Sequence, residues 1–223
     1  MIVGVLLAGG ASTRMGRAKA LVQERGQSFI ARGVTHLWRE CDTVIVVLGS
    51  GAVAIRTATE REFVRLMSQD GFADELRAAD GDRDRDLELE FVVNRAWQRG
   101  MLSSVRVGLE AALQRKPAMV VVLPVDHPAV DPKTVTAVTS VLGQALAACR
   151  TPATRRGLSY AVVPRYQRRR GHPLAISPAL ARAVLADRAA TDLSDAIRRN
   201  ARMVGYLDVK DAGVVRNRNT AKD

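Results

Sequence analysis

The stretch from Leu6 to Leu21, LLAGGASTRMGRAKAL, decides the fold. It continues an apolar run that begins at Ile2, stops at the adjacent Gly9 and Gly10, and passes through small residues to Arg14 and Lys19. Ile2 to Ala8 carries no charge, the pattern of a strand covered on both faces. The glycines that end it have no Cβ, so backbone N–H groups there can come close to the oxygens of an anion such as a phosphate. Two familiar phosphate loops are excluded by spacing. A Walker loop has four residues between its glycines and then Lys with Ser or Thr, whereas five separate Gly10 from Gly16 and Arg17 follows. The dinucleotide pattern G-x-G-x-x-G fails because Gly9 and Gly10 are adjacent and no third glycine follows at the required place.

Outward from this loop, apolar runs recur at Val44 to Leu48, Leu89 to Val93 and Met119 to Leu123, each read as a strand covered on both faces. Between them Ile30, Val34, Leu37 and Trp38, then Val105, Leu109, Ala112 and Leu113, recur at helical spacing. Alternating strand and helix means an α/β chain with a mostly parallel sheet. Asp131 before Pro132 and Ser177 before Pro178 mark helix starts, a capping oxygen followed by a proline whose missing N–H costs nothing there. The second half predicts strands at Ser159 to Val163, Leu174 to Ile176 and Met203 to Leu207, with helices near Ala179 to Leu185 and Leu193 to Asn200. Asp70 to Asp86, rich in Asp, Arg and Gly, reads as a solvated excursion between core elements.

At 223 residues and 47% hydrophobic content, one core and a single domain over 1–223 are expected. Cys41 and Cys149 are too few for a disulfide framework and lack metal-site spacing, which points to a reducing compartment and a cytoplasmic location. No run reaches the roughly 18 to 20 apolar residues of a membrane helix. The net charge of +11 favours anionic ligands. Aromatic residues make up 4% of the chain and do not alternate with the arginines, which argues against a platform for stacked bases and so against nucleic acid as the partner.

The loop closely resembles the signature L-A-[GA]-G-x-S-x-R-M-G-x-x-K of the MobA-like nucleotidyltransferases, the molybdenum cofactor cytidylyl- and guanylyltransferases. Leu7, Ala8, Gly10, Ser12, Arg14, Met15, Gly16 and Lys19 carry the match. The later motifs follow in the family's order. Asn94 to Leu109, NRAWQRGMLSSVRVGL, is similar to the segment that shapes the nucleobase and ribose pocket, at Asn94, Gly100, Ser103 and Ser104. Ser103 and Ser104 are equally at home as helix N-caps. LPVDHP, Leu123 to Pro128, resembles the metal-binding aspartate motif, and RRRGHPLAIS, Arg168 to Ser177, resembles the G-H-P segment near the acceptor. NRNTAKD, Asn217 to Asp223, resembles the closing motif [DN]-x-[DN]-T-P-E-D.

The resemblance implies a single-domain, Rossmann-like three-layer sandwich of the nucleotide-diphospho-sugar-transferase kind. A nucleotide-binding half of about 1–130 would be followed by an acceptor-binding half of about 131–223. It implies transfer of a nucleoside monophosphate from CTP or GTP to a phosphate-bearing acceptor such as molybdopterin, with Mg²⁺ as cofactor. Leu7, Ala8, Gly9, Gly10, Ser12 and Thr13 would hold the triphosphate, with Arg14, Lys19 and Asp126 catalytic. Asp126, Asn217 and Asn219 would face the metal, and Arg170, Gly171, His172 and Pro173 the acceptor. His127 reads as structural or substrate-facing, not as a general base. A molybdoenzyme or its chaperone would receive the product.

Two features depart from the pattern. Ala221 and Lys222 stand where the motif has Pro and Glu, and asparagines replace the aspartates of the cytidylyl branch, a weaker donor set for Mg²⁺. Gly9 and the asparagines lean towards the guanylyl branch, while GMLSS and GHP lean towards the cytidylyl branch. Another small-phosphate nucleotidyltransferase and a non-catalytic nucleotide- or cofactor-binding module are the rival readings.

Overall fold

Strand saturation organises the chain, which the computed structural model describes at residues 1–10, 18–69, 71–72 and 88–218. In chain order the elements begin with β1 (Ile2–Ala8), a hairpin of β2 (Gln23–Glu24) and β3 (Gln27–Ser28), α1 (Phe29–Trp38), β4 (Thr43–Leu48), α2 (Ala52–Met67) and β5 (Glu88–Val93). Then come α3 (Met101–Gln114), β6 (Met119–Pro124), α4 (Pro132–Ala147) and α5 (Pro152–Gly157). The chain ends with β7 (Tyr160–Tyr166), β8 (Arg169–Arg170), β9 (Leu174–Ile176), α6 (Pro178–Ala186), α7 (Leu193–Asn200) and β10 (Met203–Asp208).

The main sheet runs β10-β7-β9-β6-β1-β4-β5, with β8 attached to β7. β1 pairs in parallel with β4 on one side and β6 on the other. Only β9 and β8 run antiparallel to their neighbours in this sheet. Alternation along β1 assigns its side chains: Leu6 and Ala8 join the core under α1 and α2, while Val3, Val5 and Leu7 join the core under α3, α6 and α7. A third cluster lies under α4, against β7 and β9. Helices on both faces of one mostly parallel sheet make the single-domain α/β architecture that the sequence predicts.

Both predicted helix starts are present. The Asp131 carboxylate accepts from Lys133 N–H at 2.9 Å, and Ser177 Oγ accepts from Leu180 N–H at 3.3 Å. One expectation fails in β5, which is the sheet edge and not a strand covered on both faces; Val93 is 52% exposed. Glu88 and Glu90 alternate with Leu89 and Phe91, and both glutamates pair with Arg115. That alternation is the signature of a half-exposed strand. The Asp70 to Asp86 excursion falls, apart from residues 71 and 72, outside the described residues. Cys41 and Cys149 are not joined in a disulfide, and among the described residues no helix is long and apolar enough to cross a membrane.

Two helical glycines set how closely the layers approach. A Cβ on Gly33 would fall 2.7 Å from Leu6 Cδ1, and one on Gly108 would fall 2.4 Å from Val5 Cγ1 and 2.9 Å from Val47 Cγ2. Leu6 ends in a rotatable isobutyl group, whereas the β-branched valines are stiff at χ1. Gly108→Ala is therefore expected to destabilise the fold by about 1–3 kcal/mol through overpacking, and more than Gly33→Ala does. Thermal unfolding of the two variants beside the parent checks the order.

Candidate active site

Successive β1-α1-β4-α2-β5 connections carry the chain to one edge, and α3 then returns it to β6 on the other side of β1. The strand order thus reverses between β1 and β6, and open α/β sheets bind ligands in the crevice beyond the carboxyl ends at such a point. A cavity of about 350 Å³ lies there, lined by Leu7, Ala8, Gly9 and Gly10 from β1 and its exit, Lys19, Gly100 with Met101 and Ser104 from α3, and Asp126 after β6.

Glycine is sterically required at its rim. A Cβ on Gly9 would stand 2.9 Å from Ser104 Oγ, and one on Gly49 would stand 2.2 Å from Gly9 O. Lys19 opens a 3₁₀ turn, Lys19–Leu21, whose Ala20 is buried. That anchor leads the lysine across the crevice, where Nζ lies 3.5 Å from Asp126 Oδ2, with 17% and 24% of the two side chains exposed. Asp126 is placed by the sheet: Val125 N–H still bonds Leu7 O at 3.0 Å, so the aspartate is the next residue beyond the ladder. Arg218 N–H donates to Asp126 O at 2.8 Å, and its guanidinium bonds Glu24 at 3.0 Å. The chain's C-terminal segment is thereby tied to this aspartate. Asn217 precedes that bond and is exposed. Ser12, Thr13, Arg14 and Asn219 lie outside the described residues.

A lysine, glycine-lined backbone and one carboxylate form a cradle for a polyphosphate. Among the described residues no cluster of three or more His, Cys, Asp or Glu holds a metal by itself. A single carboxylate beside an anion-binding cradle fits a hard cation that draws its other ligands from phosphates and water.

Asn94 and Ser103 work beneath the cleft and do not line it. Asn94, 2% exposed, donates from Nδ2 to Ser103 Oγ at 2.8 Å and Ser104 Oγ at 3.0 Å, and its Oδ1 accepts from Ala96 N–H at 2.9 Å. This knots the Trp97–Arg99 turn to the start of α3. The N-cap of α3 is Gly100, with φ 90°, so the two serines are not N-caps. Ser103 Oγ donates instead to Gly100 O at 2.7 Å. Trp97 and Gln98 also line the cleft and escaped the sequence reading. Their one signal is a tryptophan set among polar residues.

A second cavity of about 490 Å³ adjoins the first through Met101 and is lined by Arg170, Gly171 and His172, with Leu174, Leu193 and Tyr206 among its apolar walls. Pro173 is buried behind it. Gly171 is obligatory, since a Cβ would sit 2.2 Å from Val214 O. The Arg170 guanidinium stacks on Tyr206 at 5.1 Å, as does that of Arg165, which also grips the Asp208 carboxylate at 3.0 and 2.7 Å. Of Arg168 to Arg170, only Arg170 reaches the cavity. Between the clefts the rings of His127 and His172 lie 5.0 Å apart. Burial, reinforced by His127, pushes His172 down to about 3, and burial also lowers His127 despite the Asp126 charge. Both rings are neutral at physiological pH.

Comparison with known proteins adds three findings. The family model of the MobA-like NTP transferase domain matches residues 4–204. Nicotine blue oxidoreductase of Paenarthrobacter nicotinovorans is 31% identical over 218 residues, covering 94% of this chain and 88% of its own. Among solved structures, Rv0371c of Mycobacterium tuberculosis H37Rv superposes with a TM-score of 0.64 at 24% identity, over 93% of this chain and 87% of that one. A structure of the same protein is a complex with manganese. Molybdopterin-guanine dinucleotide biosynthesis protein A of Archaeoglobus fulgidus gives 0.55 at 18% identity, over 100% and 94%.

The Asn94 knot makes its own prediction. Asn94→Ala leaves the buried Ser104 hydroxyl and the Ala96 N–H without this partner, and is expected to cost about 1–3 kcal/mol of stability. Urea unfolding measures it, and a loss within about 0.5 kcal/mol, the range of ordinary surface changes, would mean that the knot does not hold α3.

Proposed function

The chain belongs to the MobA-like NTP transferase family, a family of nucleotidyltransferases, and from that premise we propose that it moves the nucleoside monophosphate of CTP or GTP onto a phosphate-bearing acceptor, molybdopterin in the first instance. The observation that carries this reading is Lys19 Nζ standing 3.5 Å from Asp126 across a glycine-rimmed cleft at the reversal of strand order.

In this reading residues up to about 130 hold the nucleotide and those from about 131 hold the acceptor. Backbone N–H groups at Ala8 to Gly10, with Ser12 and Thr13, bind the triphosphate. Arg14 and Lys19 neutralise the charge that grows on the leaving group. An acceptor phosphate oxygen attacks the α-phosphorus in line, a new P–O bond forms, and the α–β bridging bond breaks with its electron pair leaving on pyrophosphate. The side chains supply no nucleophile; they position the reactants and stabilise charge. A divalent cation, Mg²⁺ or Mn²⁺, would be held by Asp126, with Asn217 and Asn219 as its proposed further oxygen donors, and would add positive charge to the phosphates.

The acceptor enters the second cleft, where Arg170 meets its phosphate and the apolar walls take its ring system. Met101, 49% exposed and common to both cavities, stands where the two substrates meet. His172 and His127, both neutral, position this wall and carry no proton in the reaction. In this reading the transfer takes place in the cytoplasm and the product passes to a molybdoenzyme or its chaperone.

One observation favours a second reading. The 31%-identical relative is named as an oxidoreductase, so redox chemistry on a planar organic substrate in the same second cleft is the competing activity.

Pyrophosphate release from CTP and GTP, with Mg²⁺ or Mn²⁺ and molybdopterin, tests the transfer directly. Lys19→Ala and Asp126→Asn are each expected to lower turnover about 100-fold or more, the scale of losing one electrostatic stabiliser, while the thermal transition stays within a few degrees. Near-normal turnover in either variant removes that residue from the mechanism. No pyrophosphate with any triphosphate, together with reduction of an organic dye by a nicotinamide, would replace the transfer by the second reading.

A further inference from the structure

A third cavity, of about 470 Å³, opens at the opposite end of the sheet from both clefts. The ends of α3 and α4, the first residue of β6, the short α5 and the start of α6 surround it. Leu113, Pro117, Met119 and Leu146 make an apolar floor. Lys116, Arg155, Arg156 and Arg182 stand around it, and no carboxylate lines it.

Among the described residues the four cations have no ion-pair partner, in contrast to Arg115, Arg165, Arg199 and Arg218, each of which holds a carboxylate. Helix ends explain part of this grouping, because Arg155 and Arg156 complement the carboxyl end of α5. Arg182 sits in the middle of its own helix α6 and instead meets the carboxyl end of α5. Its Nη2 donates to Arg156 O at 3.3 Å and so pins α5 against the cavity. Convergent, unneutralised positive charge above an apolar bed attracts an anion with an apolar body.

An independent observation comes from Gly143, inside α4 on the cavity wall. An interior helix glycine weakens the helix relative to alanine. At Gly33 and Gly108 packing demands it, but a Cβ on Gly143 would meet nothing closer than Met119 Cε at 3.8 Å, an ordinary contact. Packing therefore leaves this glycine unexplained, and a larger side chain there would take up room on the cavity wall.

We propose that this cavity is a second ligand site, for a small organic anion whose ring or short apolar body rests on Leu113, Met119 and Leu146. Its phosphate, sulfonate or carboxylate head meets Lys116, Arg155 and Arg156. The cavity is concave and sized for a small molecule, which a nucleic-acid backbone would not fill. The proposal stands independently of the transfer reading, since it shares no lining residue with either cleft.

The test uses the full chain and 8-anilino-1-naphthalenesulfonate, a fluorescent aryl sulfonate. Saturable binding is expected, weakened about ten-fold or more, a step in Kd that a titration resolves, by Gly143→Leu and by the double change Arg155→Glu with Arg156→Glu. Tyr206→Ala, in the second cleft, leaves it unchanged. Gly143→Ala is expected to raise the thermal midpoint, and a lowered midpoint would mean that packing requires the glycine and would overturn the argument built on it. A cooperative thermal transition in each variant separates loss of the site from loss of the fold. Binding that survives both the charge reversal and Gly143→Leu, or that disappears in Tyr206→Ala instead, would overturn the proposal.

Discussion

Strand β1 has neighbours on both sides and helices on both faces, and the rest of the molecule depends on where that saturation ends. Val3 to Ala8 pair with β4 while Ile2 to Leu7 pair with β6, so no backbone group along the strand's length is available to a ligand. At Gly9, still buried, the ladder stops, and Gly10 is exposed at the cleft. A polyphosphate site made of backbone needs such a terminus, because an unpaired donor inside the strand would carry a desolvation cost with no return. The glycines make the terminus usable: Gly9 lies against Ser104 and Gly49 against Gly9 O, with no room for a Cβ at either contact.

The same constraint explains which parts of the fold were legible. Strands buried on both faces must be apolar at every position, so β1, β4 and β6 stand out as continuous runs. Helix starts at Asp131 and Ser177 are equally readable, because a cap and a following proline are local chemistry. β5 was read too deeply, since its alternating glutamates and apolar residues were weighed as a run. Helix α2 was missed because its buried residues, Ile55, Thr59, Phe63 and Leu66, are scattered among charges and one of the four is polar. Thr59 is accommodated there by donating to Ile55 O at 2.8 Å, which no spacing rule reveals.

Site residues divide along a similar line. Leu7, Gly9, Gly10 and Asp126 are close in space because they sit at the ends of adjacent parallel strands, a relation that element order already contains, and the Lys19–Leu21 turn brings Lys19 across to Asp126. Asn94 and Ser103 belong to the same motif yet lie under the cleft, and only their hydrogen bonds distinguish supporting it from lining it. Trp97, Tyr206 and Met101 carry no motif of their own. Their roles arise from tertiary placement: Trp97 beside Gly49, Tyr206 beneath two guanidinium groups, Met101 between two cavities.

The net charge of +11 takes on meaning once its distribution is known. Arginines with carboxylate partners fasten architecture: Arg115 clamps the edge strand β5, Arg199 joins α7 to Asp187, and Arg218 ties the C-terminal segment to β2. Others border cavities and have no ion-pair partner among the described residues, Arg170 at the second cleft and Arg155, Arg156 and Arg182 at the far pole. Exposed pairs contribute little stability each, so leaving such cations unpaired costs the fold little. An unneutralised cation beside a concavity does something else: it raises the local concentration of anions in proportion to the potential it creates. The fold itself is held by the apolar layers on both faces of the sheet, and the paired arginines fix how the segments around them are joined.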